Sequence, residues 1–463
     1  MLDLEGKKVT VMGLGLHGGA AGTIAWLVER KARITVTDLK TDAELRSTLT
    51  ALQHFRNVRY VLGEHREEDF VSTDLIIRNP GVPRTSKYLE LARQANVPIE
   101  MDSSLFFQFC PTKNIIGVTG SKGKSTTVHA IAHLLQIKYP STITVGDDRH
   151  SPLGSLSSIR HDSLVVFELS SWRLEALADH NISPRTAVVT SIYRDHLNTY
   201  DSFEDYIKTK KIIIRYQRRE DRVLLNADDE RLRQWAGNGL GQVYWYSLTN
   251  KIPDEGICVD RGMVTVLLKR GGGTLFPLDS LKLTSDHERR NVLPAILLGF
   301  MSNIPIASIQ LNVSNLQGLA HRLEKVRVVD RVTYINDSAA TMPDATIAAT
   351  RALGTKHIVH ILGGSDKKLR FEELARVESQ VMIRALIFLP GDATPRLREQ
   401  IVGEFASPPP VFTVNTMAEA VTQAQAVAEP GDVVLLSPAA TSFGLFQHEF
   451  DRGDQFKASV AML

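Results

Sequence analysis

The run 119–127 reads Thr-Gly-Ser-Lys-Gly-Lys-Ser-Thr-Thr and follows the apolar stretch 115–118. An apolar strand entering a glycine turn that opens a helix is a way to hold a nucleoside triphosphate. The N–H groups of Gly120, Ser121, Lys122 and Gly123 would point at phosphate oxygens, and the helix N-terminus would add positive potential. Lys124 would neutralise the β/γ-phosphates, and the hydroxyl of Ser125 or Thr126 would reach Mg²⁺. A strict Gly-x4-Gly-Lys-Ser/Thr loop would need glycine at position 118, where Val118 stands. The tighter Gly120-x2-Gly123-Lys124-Ser125 spacing fits ordinary GTPases and helicases less well. The competing reading, a glycine turn with a solvated lysine, leaves the strand–turn–helix order unexplained.

The elements that must position this chemistry can be read on both sides of the loop. A strand over 163–169 delivers Glu168 at its C-terminal end, where ligands of open α/β sheets bind, so Glu168 is placed for Mg²⁺ beside the triphosphate. A strand over 186–192 leads into Tyr193-Arg194-Asp195-His196. His196 there is either a second metal ligand or phosphate contact, or a packing and capping residue. The basic cluster Lys208, Lys210, Lys211, Arg215, Arg218 and Arg219 reads as a solvated helix face, and spacing alone promotes none of its lysines.

Upstream, a strand over 8–12, the turn Gly13-x-Gly15-x-x-Gly18, a helix over 20–27 and a strand over 34–37 ending at Asp38 make a β-α-β unit. Residues 75–83 end a second unit, and a helix over 87–94 and a strand over 97–101 complete a small α/β domain. Between 243 and 283 the pattern changes to short strands and turns, with 270–274 as a hairpin turn, and a helix over 290–301 follows. The last region alternates again, with strands over 332–335, 357–362, 385–389, 411–414 and 433–436, giving a second doubly wound sheet. At 463 residues the chain is expected to hold roughly three domains. These are a Rossmann-like domain over 1–110, a central P-loop-type ATPase domain with a mostly parallel sheet over 111–318, and a Rossmann-like domain over 319–463.

Composition excludes several classes. A net charge of +2 with no long basic run argues against nucleic-acid binding. The only cysteines, Cys110 and Cys258, suggest a reducing compartment and neither a disulfide framework nor a zinc site. The first residues do not read as a signal peptide, and no apolar run reaches the roughly 20 residues of a membrane span. A cytoplasmic protein without a membrane partner is expected.

Taken in order, 119–127, Glu168-Leu-Ser170-Ser171, Asp195-His196-Leu197, Tyr206-x3-Lys210, His287-x3-Asn291, Ala320-His-Arg322-Leu-Glu324, Asn336-Asp337-Ser338, Gly363-Gly-Ser-Asp-Lys367 and Leu436-Ser-Pro-Ala-Ala-Thr-Ser442-Phe443 resemble the Mur ligase family over nearly the whole chain. Each motif is weak alone, and the ordered series is specific. The first glycine turn and the Ser-Pro-Ala segment are most similar to the glutamate-adding branch. The resemblance implies an ATP-dependent amide ligase working through an acyl phosphate, with UDP-N-acetylmuramoyl-L-alanine, glutamate and ATP as partners and a monomeric state. It implies catalytic roles for Lys124, Glu168, His196 and Lys210. Two Mg²⁺ ions are implied, one at Ser125 or Thr126 with Glu168, the other at His196 with a Lys210 carbamylated by CO₂. Asn291, Arg322 and Asp337 would join the loop in holding ATP. Gly15, Leu16, His17, Asp38, Leu39, Asn79, Pro80, Gly81 and Ser170 would line the UDP-substrate site. Thr341, Lys367 and Ser442 would hold the incoming glutamate. The third domain would close over the others about a hinge near 318–321.

Departures from the family pattern stand at Glu288 in place of asparagine, Ala339 in place of lysine, residues 146–150, Trp172-Arg173 in place of Phe-Gln, and Arg370 in place of an acid. They leave the adenine contact and the glutamate stereochemistry open. Other readings are a folylpolyglutamate synthetase-like ligase, a nicotinamide oxidoreductase fused to an NTPase, and a non-catalytic nucleotide-binding regulator.

Overall fold

The computed structural model describes residues 3–15, 19–147, 151–193, 200–269, 271–283, 285–316, 318–366, 369–442 and 444–463. The chain divides into two compact units, Met1–Leu316 and Gln317–Leu463. The first holds two sheets and the second holds one.

The first sheet is β1 (Lys8–Met12), β2 (Arg33–Asp38), β3 (Val58–Leu62), β4 (Leu75–Arg78) and β5 (Ile99–Glu100), in spatial order β3-β2-β1-β4-β5. Every pairing is parallel, so the order reverses at β1 and the turn after it lies at a switch point. The fifth strand is shorter than the 97–101 expected, because Met101 is already the N-cap of the helix Asp102–Phe109. The helix Asp42–Leu52 starts with a capping box in which Thr41 accepts from Glu44 N and the Glu44 carboxylate accepts from Thr41 N.

The second sheet holds β6 (Ile115–Thr119), β7 (Thr142–Val145), β8 (Leu164–Glu168), β9 (Thr186–Val189), β10 (Arg222–Asn226), β11 (Gln242–Ser247), β12 (Gly256–Asp260), β13 (Met263–Leu267) and β14 (Gly273–Pro277), in order β14-β13-β12-β11-β10-β9-β6-β8-β7. It is parallel through β12, and the last two strands add antiparallel. Of the hairpin turn expected at 270–274, Gly271 and Gly272 lie between β13 and β14, Gly273 and Thr274 already pair within β14, and Arg270 lies outside the described residues. The strand at 186 stops at Val189; beyond it Thr190 N donates to Thr119 O at 2.9 Å, and Ser191 O accepts from Ser121 N of the phosphate loop. The helix expected from 290 begins a turn earlier, as Asp286–Met301, on a capping box of Ser285 and Glu288.

The two expected domains that contain these sheets share a core. One apolar cluster runs from Val9, Ile24 and Val36 of the first through Leu105, Phe106 and Phe107 to Val165, Phe167 and Leu174 of the second. The helix Asp102–Phe109 supplies the bridge, with Phe107 stacked on Phe167 at 5.7 Å. Polar ties reinforce it. Thr23 Oγ1 lies 2.8 Å from Ser151 Oγ, and Arg78 at the end of β4 pairs with Glu175 at 2.9 Å while both are largely buried.

In the second unit β15 (Glu324–Val329), β16 (Val332–Asn336), β17 (Ile358–Leu362), β18 (Ile383–Phe388), β19 (Val411–Thr413) and β20 (Val433–Leu436) run in the order β15-β16-β20-β17-β18-β19. All pairs are parallel except β15–β16. Strand β15 is not among the strands expected from sequence. It is half exposed and carries Glu324, Lys325 and Arg327, as an edge strand does.

Candidate active site

The phosphate loop joins β6 to the helix Lys124–Leu135, with Gly123 as N-cap at φ +87°. A Cβ at Gly123 would lie 2.5 Å from Asn291 Oδ1. The asparagine expected to touch the nucleotide thus stands against the loop, and its carbonyl accepts from Thr127 Oγ1 at 3.1 Å. Lys124 Nζ donates to the carbonyls of Gly120 and Ser121 at 3.1 and 3.3 Å. Ser125 and Thr126 are half-buried in the first helical turn.

The loop is stitched to the end of β9. Ser121 N donates to Ser191 O at 2.7 Å, Lys122 N to Ser191 Oγ at 3.1 Å, and Thr190 Oγ1 to Lys122 O at 2.5 Å. Ser121 Oγ lies 3.0 Å from Tyr206 Oη. Thr190 and Ser191 were not singled out by the sequence reading. Their signal is the change from apolar to hydroxyl residues at a strand end beside a glycine loop.

Among the basic residues of the helix Phe203–Arg215, Lys208 and Arg215 are exposed, as a solvated face requires. Lys210 is 1% exposed. Its Nζ donates to Gly120 O at 3.0 Å and lies 3.4 Å from Thr119 Oγ1, 4.8 Å from the Tyr206 ring centre. Spacing alone does not distinguish it; the fold does, bringing Lys210 and Lys124 to one carbonyl. Glu168 ends β8 opposite Val118 of β6. His196 lies outside the described residues. Among the described residues no three His, Cys, Asp or Glu side chains cluster as a metal site.

At the first sheet's switch point Gly13 and Gly15 have φ of +91° and +73°. A Cβ on Gly13 would meet Val82 and Asn79, and one on Gly15 would come 3.8 Å from Asn79 Nδ2. Asp38 is buried, and its Oδ2 accepts from the N–H groups of Leu14 and Gly15 at 2.8 and 3.2 Å. The carboxylate therefore holds the turn in shape. Leu39 beside it is 65% exposed, and Asn79 Oδ1 accepts from Gly81 N. Pro80 lies in the same turn, while Leu16 and His17 lie outside the described residues. Ser170 caps the helix Ser171–Ala178, accepting from Arg173 N. A concavity of about 930 Å³ is lined by Lys8, Arg33 and Val58, the opening residues of their strands. It sits at the wrong end of a parallel sheet for the chemistry.

In the second unit Asp337 follows β16. Its Oδ1 accepts from Leu323 N at 3.0 Å and its Oδ2 from Ser437 Oγ at 2.8 Å. Burial pushes its carboxyl up to about 6, against the pull of the Ser437 hydroxyl, the Leu323 N–H and the electrostatic influence of Arg322 and His360. Thr341 is half-buried, and Lys367 lies outside the described residues. Ser442 is 2% exposed, and its hydroxyl has no hydrogen-bond partner among the described residues. Arg452, which spacing did not reveal, is wholly buried beneath this loop. It donates to Ser338 Oγ and O at 2.9 Å each and to Ala440 O at 3.1 Å, and burial lowers it to about 9.

Two of the departures from the family pattern acquire a local reason. Glu288 Oε2 accepts from Ser285 N at 3.0 Å and Ser285 Oγ at 3.1 Å, so its carboxylate starts a helix. Arg173 is buried against Asp102 at 3.2 Å and donates to the Gly146 and Asp147 carbonyls, tying 146–147 to the shared core. Nothing in the structure explains Arg370.

Comparison with known proteins gives one family throughout. Residues 7–100 match the Mur ligase MurD-like N-terminal domain, 118–299 the Mur ligase middle domain, and 321–440 the Mur ligase glutamate ligase domain. A UDP-N-acetylmuramoylalanine--D-glutamate ligase of Roseiflexus sp. (strain RS-1) is 39% identical over 466 residues, covering 99% of each chain. A ligase of the same name from Borreliella burgdorferi (strain ZS7) is 33% identical, covering 99% of this chain and 98% of its own. Among solved structures, UDP-N-acetylmuramate-alanine ligase MurC from Thermotoga maritima superposes with a TM-score of 0.61 at 18% identity, covering 98% of this chain and 99% of its own. MurF ligase from the same organism, in complex with ADP, gives 0.57 at 14% identity, covering 99% and 96%. With three family domains in order and relatives alike from end to end, the chain belongs to the Mur ligase family.

Proposed function

We propose that the chain is an ADP-forming ligase that joins D-glutamate to UDP-N-acetylmuramoyl-L-alanine in the making of peptidoglycan precursors. The observation that carries this reading is the 39% identity over the full length to a D-glutamate ligase. The phosphate loop with Lys124 and Glu168 at adjacent strand ends is its chemical counterpart.

A carboxylate is too weak an electrophile for an amine. Its oxygen attacks the γ-phosphorus of ATP, ADP leaves, and the resulting acyl phosphate accepts the amine of glutamate and expels phosphate. The N–H groups of the loop and of the first helical turn that Ser191 does not occupy hold the phosphates, since those of Ser121 and Lys122 donate to Ser191, and Lys124 offsets charge on the moving phosphoryl group. Mg²⁺ at Ser125 or Thr126 with Glu168, and a second ion at His196 with a Lys210 carbamate, would spread that charge further. An ammonium cannot ligate a cation, so the second site requires the carbamate; Lys210 Nζ beside Gly120 O and Thr119 Oγ1 is where it would form. The turn residues Gly15, Leu16, His17, Asp38, Leu39 and 79–81, with Ser170, take the UDP substrate. Asn291, Arg322 and Asp337 take part of ATP, and Thr341, Lys367 and Ser442 take glutamate. We assign these roles to domains ending near residues 110 and 318, in a cytoplasmic monomer. Among the described residues no helix is long and apolar enough to cross a membrane.

The test supplies UDP-N-acetylmuramoyl-L-alanine, ATP and either glutamate isomer. Phosphate release and a new amide are expected with D-glutamate. No product with either isomer defeats the reading, and product with L-glutamate alone corrects the stereochemistry.

Ser442 gives a sharper test of the glutamate site. Removing a buried hydroxyl that has no partner among the described residues relieves a desolvation cost, so Ser442→Ala is expected to leave the thermal midpoint unchanged or raised. If the hydroxyl awaits a carboxylate, KM for glutamate rises about tenfold while KM for ATP holds. An unchanged KM for glutamate removes Ser442 from the site.

A further inference from the structure

Behind Asp337 lies a buried titratable network that the ligase mechanism does not use. His360 on β17 and Glu378 on the helix Glu372–Gln380 are both fully buried. Their Nδ1 and Oε2 atoms are 3.0 Å apart. On the other side of the ring, Nε2 is 3.1 Å from the carbonyl oxygen of Ser437. A carbonyl only accepts, so Nε2 carries a proton. The opposite nitrogen faces a carboxylate whose Oε1 already accepts from Thr350 Oγ1 at 3.0 Å. Both ring nitrogens thus face acceptors, an arrangement that suits the doubly protonated ring paired with an ionised glutamate.

Ser437 links this pair to the site. Its carbonyl also accepts from Thr346 Oγ1 at 3.3 Å, and its hydroxyl donates to Asp337 Oδ2 at 2.8 Å. From Glu378 through His360 and Ser437 to Asp337, each group fixes the next. We infer that His360 is a positioning residue, an imidazolium held by Glu378 that fixes Ser437 and, through its hydroxyl, keeps the Asp337 carboxylate placed and ionised for ATP. The role of Asp337 toward ATP rests on the function proposed above; the ionisation of His360 does not.

The charged groups acting on Asp337 are Arg322, which precedes β15, and His360, from β17; both favour its ionised form while burial opposes it. Removing the His360 charge should therefore move Asp337 further up. Glu378→Gln does this conservatively. The amide donates to Nδ1 and still accepts from Thr350, so the hydrogen bonds remain while the ring becomes neutral.

The experiment is ¹⁵N and ¹³C NMR on the full chain, with His360→Gln used to assign the ring. In the unsubstituted protein at pH 8, His360 is expected to show two equivalent, protonated nitrogens, and the Asp337 carboxyl to titrate near pH 6. In Glu378→Gln, His360 should show the neutral Nε2–H form, the Asp337 midpoint should rise by roughly one pH unit, and the acid limb of ligation should move with it. A network that only supports the fold would lower the thermal midpoint and leave the Asp337 titration in place. A neutral His360 in the unsubstituted protein, or an unmoved Asp337 midpoint in Glu378→Gln, overturns the inference. Asp337→Asn with an unchanged KM for ATP would defeat the ATP role of Asp337 while leaving the NMR result standing.

Discussion

Lys124→Ala is expected to lower the rate of ligation by about a thousandfold or more, with the fold intact. At that size the loss corresponds to about 4 kcal/mol of transition-state stabilisation. The lysine is half-buried in the first turn of its helix, where its ammonium donates to the Gly120 and Ser121 carbonyls. Its chemical work begins when a triphosphate fills the loop and the phosphoryl group moves to a carboxylate. The neighbouring N–H groups still bind phosphate in the variant, so ADP affinity should fall far less than kcat. The measurement is phosphate release at saturating glutamate beside ADP titration and a melting curve. Residual ligation within tenfold of the parent would mean the loop has been misread. A collapsed melting curve would assign the loss to folding and require Lys124→Met, which keeps the apolar stem.

The phosphate loop could be read in the sequence because strand, glycines, lysine and hydroxyls are contiguous, and local order is what sequence conveys. Asp38 could be placed at a strand end for the same reason. Its actual work, accepting from Leu14 and Gly15 N–H, depends on β1 and β2 lying side by side and is not visible from spacing. Lys210 is the clearest case of the difference. On the helix alone it is one lysine among several; burial against Gly120 comes from packing the helix Phe203–Arg215 beside β6 and β9. Glu288 shows the reverse. As a departure from a family pattern it reads as altered base recognition, yet Ser285-x-x-Glu288 is a capping box written in the chain.

Domain organisation was legible as three alternating α/β regions but not as two compact units. The shared core arises because the helix Asp102–Phe109 is apolar on several sides, burying Leu105, Phe106 and Phe107 together. No period marks such a helix as a bridge. Strand β15 was missed for a related reason: an edge strand with charged residues lacks the buried alternation that identifies its neighbours. In the second unit the motif residues Asp337 and Ser437 were readable. The pair His360–Glu378 was not, since its members are 18 positions apart and join only when β17 and the helix Glu372–Gln380 pack.

Glycine in the phosphate loop supports a second strong prediction, in which steric fit can be separated from backbone strain. Gly120 has φ of +152°, and an added Cβ would lie 1.9 Å from Thr190 Oγ1 and 3.0 Å from Ser191 N. Thr190 cannot step aside cheaply, because its hydroxyl is bonded to Thr119 O and Lys122 O and its carbonyl accepts from Asn226. Gly120→Ala must therefore part the loop from the end of β9, breaking the stitch through Ser121, Lys122 and Ser191. Gly262, in the β12–β13 turn, has φ of +77° with nothing within 4 Å of its would-be Cβ. Gly262→Ala carries backbone strain alone, about 1 kcal/mol, at a place remote from the loop in sequence. Gly120→Ala is expected to cost about 2–4 kcal/mol, and to weaken ADP binding and ligation by a hundredfold or more. Gly262→Ala should lower the thermal midpoint slightly and leave ADP affinity alone. Equal losses of ADP affinity in the two variants would show that the loop tolerates displacement and that its N–H groups are not what grips the phosphates. Loss confined to Gly120→Ala would tie nucleotide binding to the close approach between loop and strand that only glycine permits.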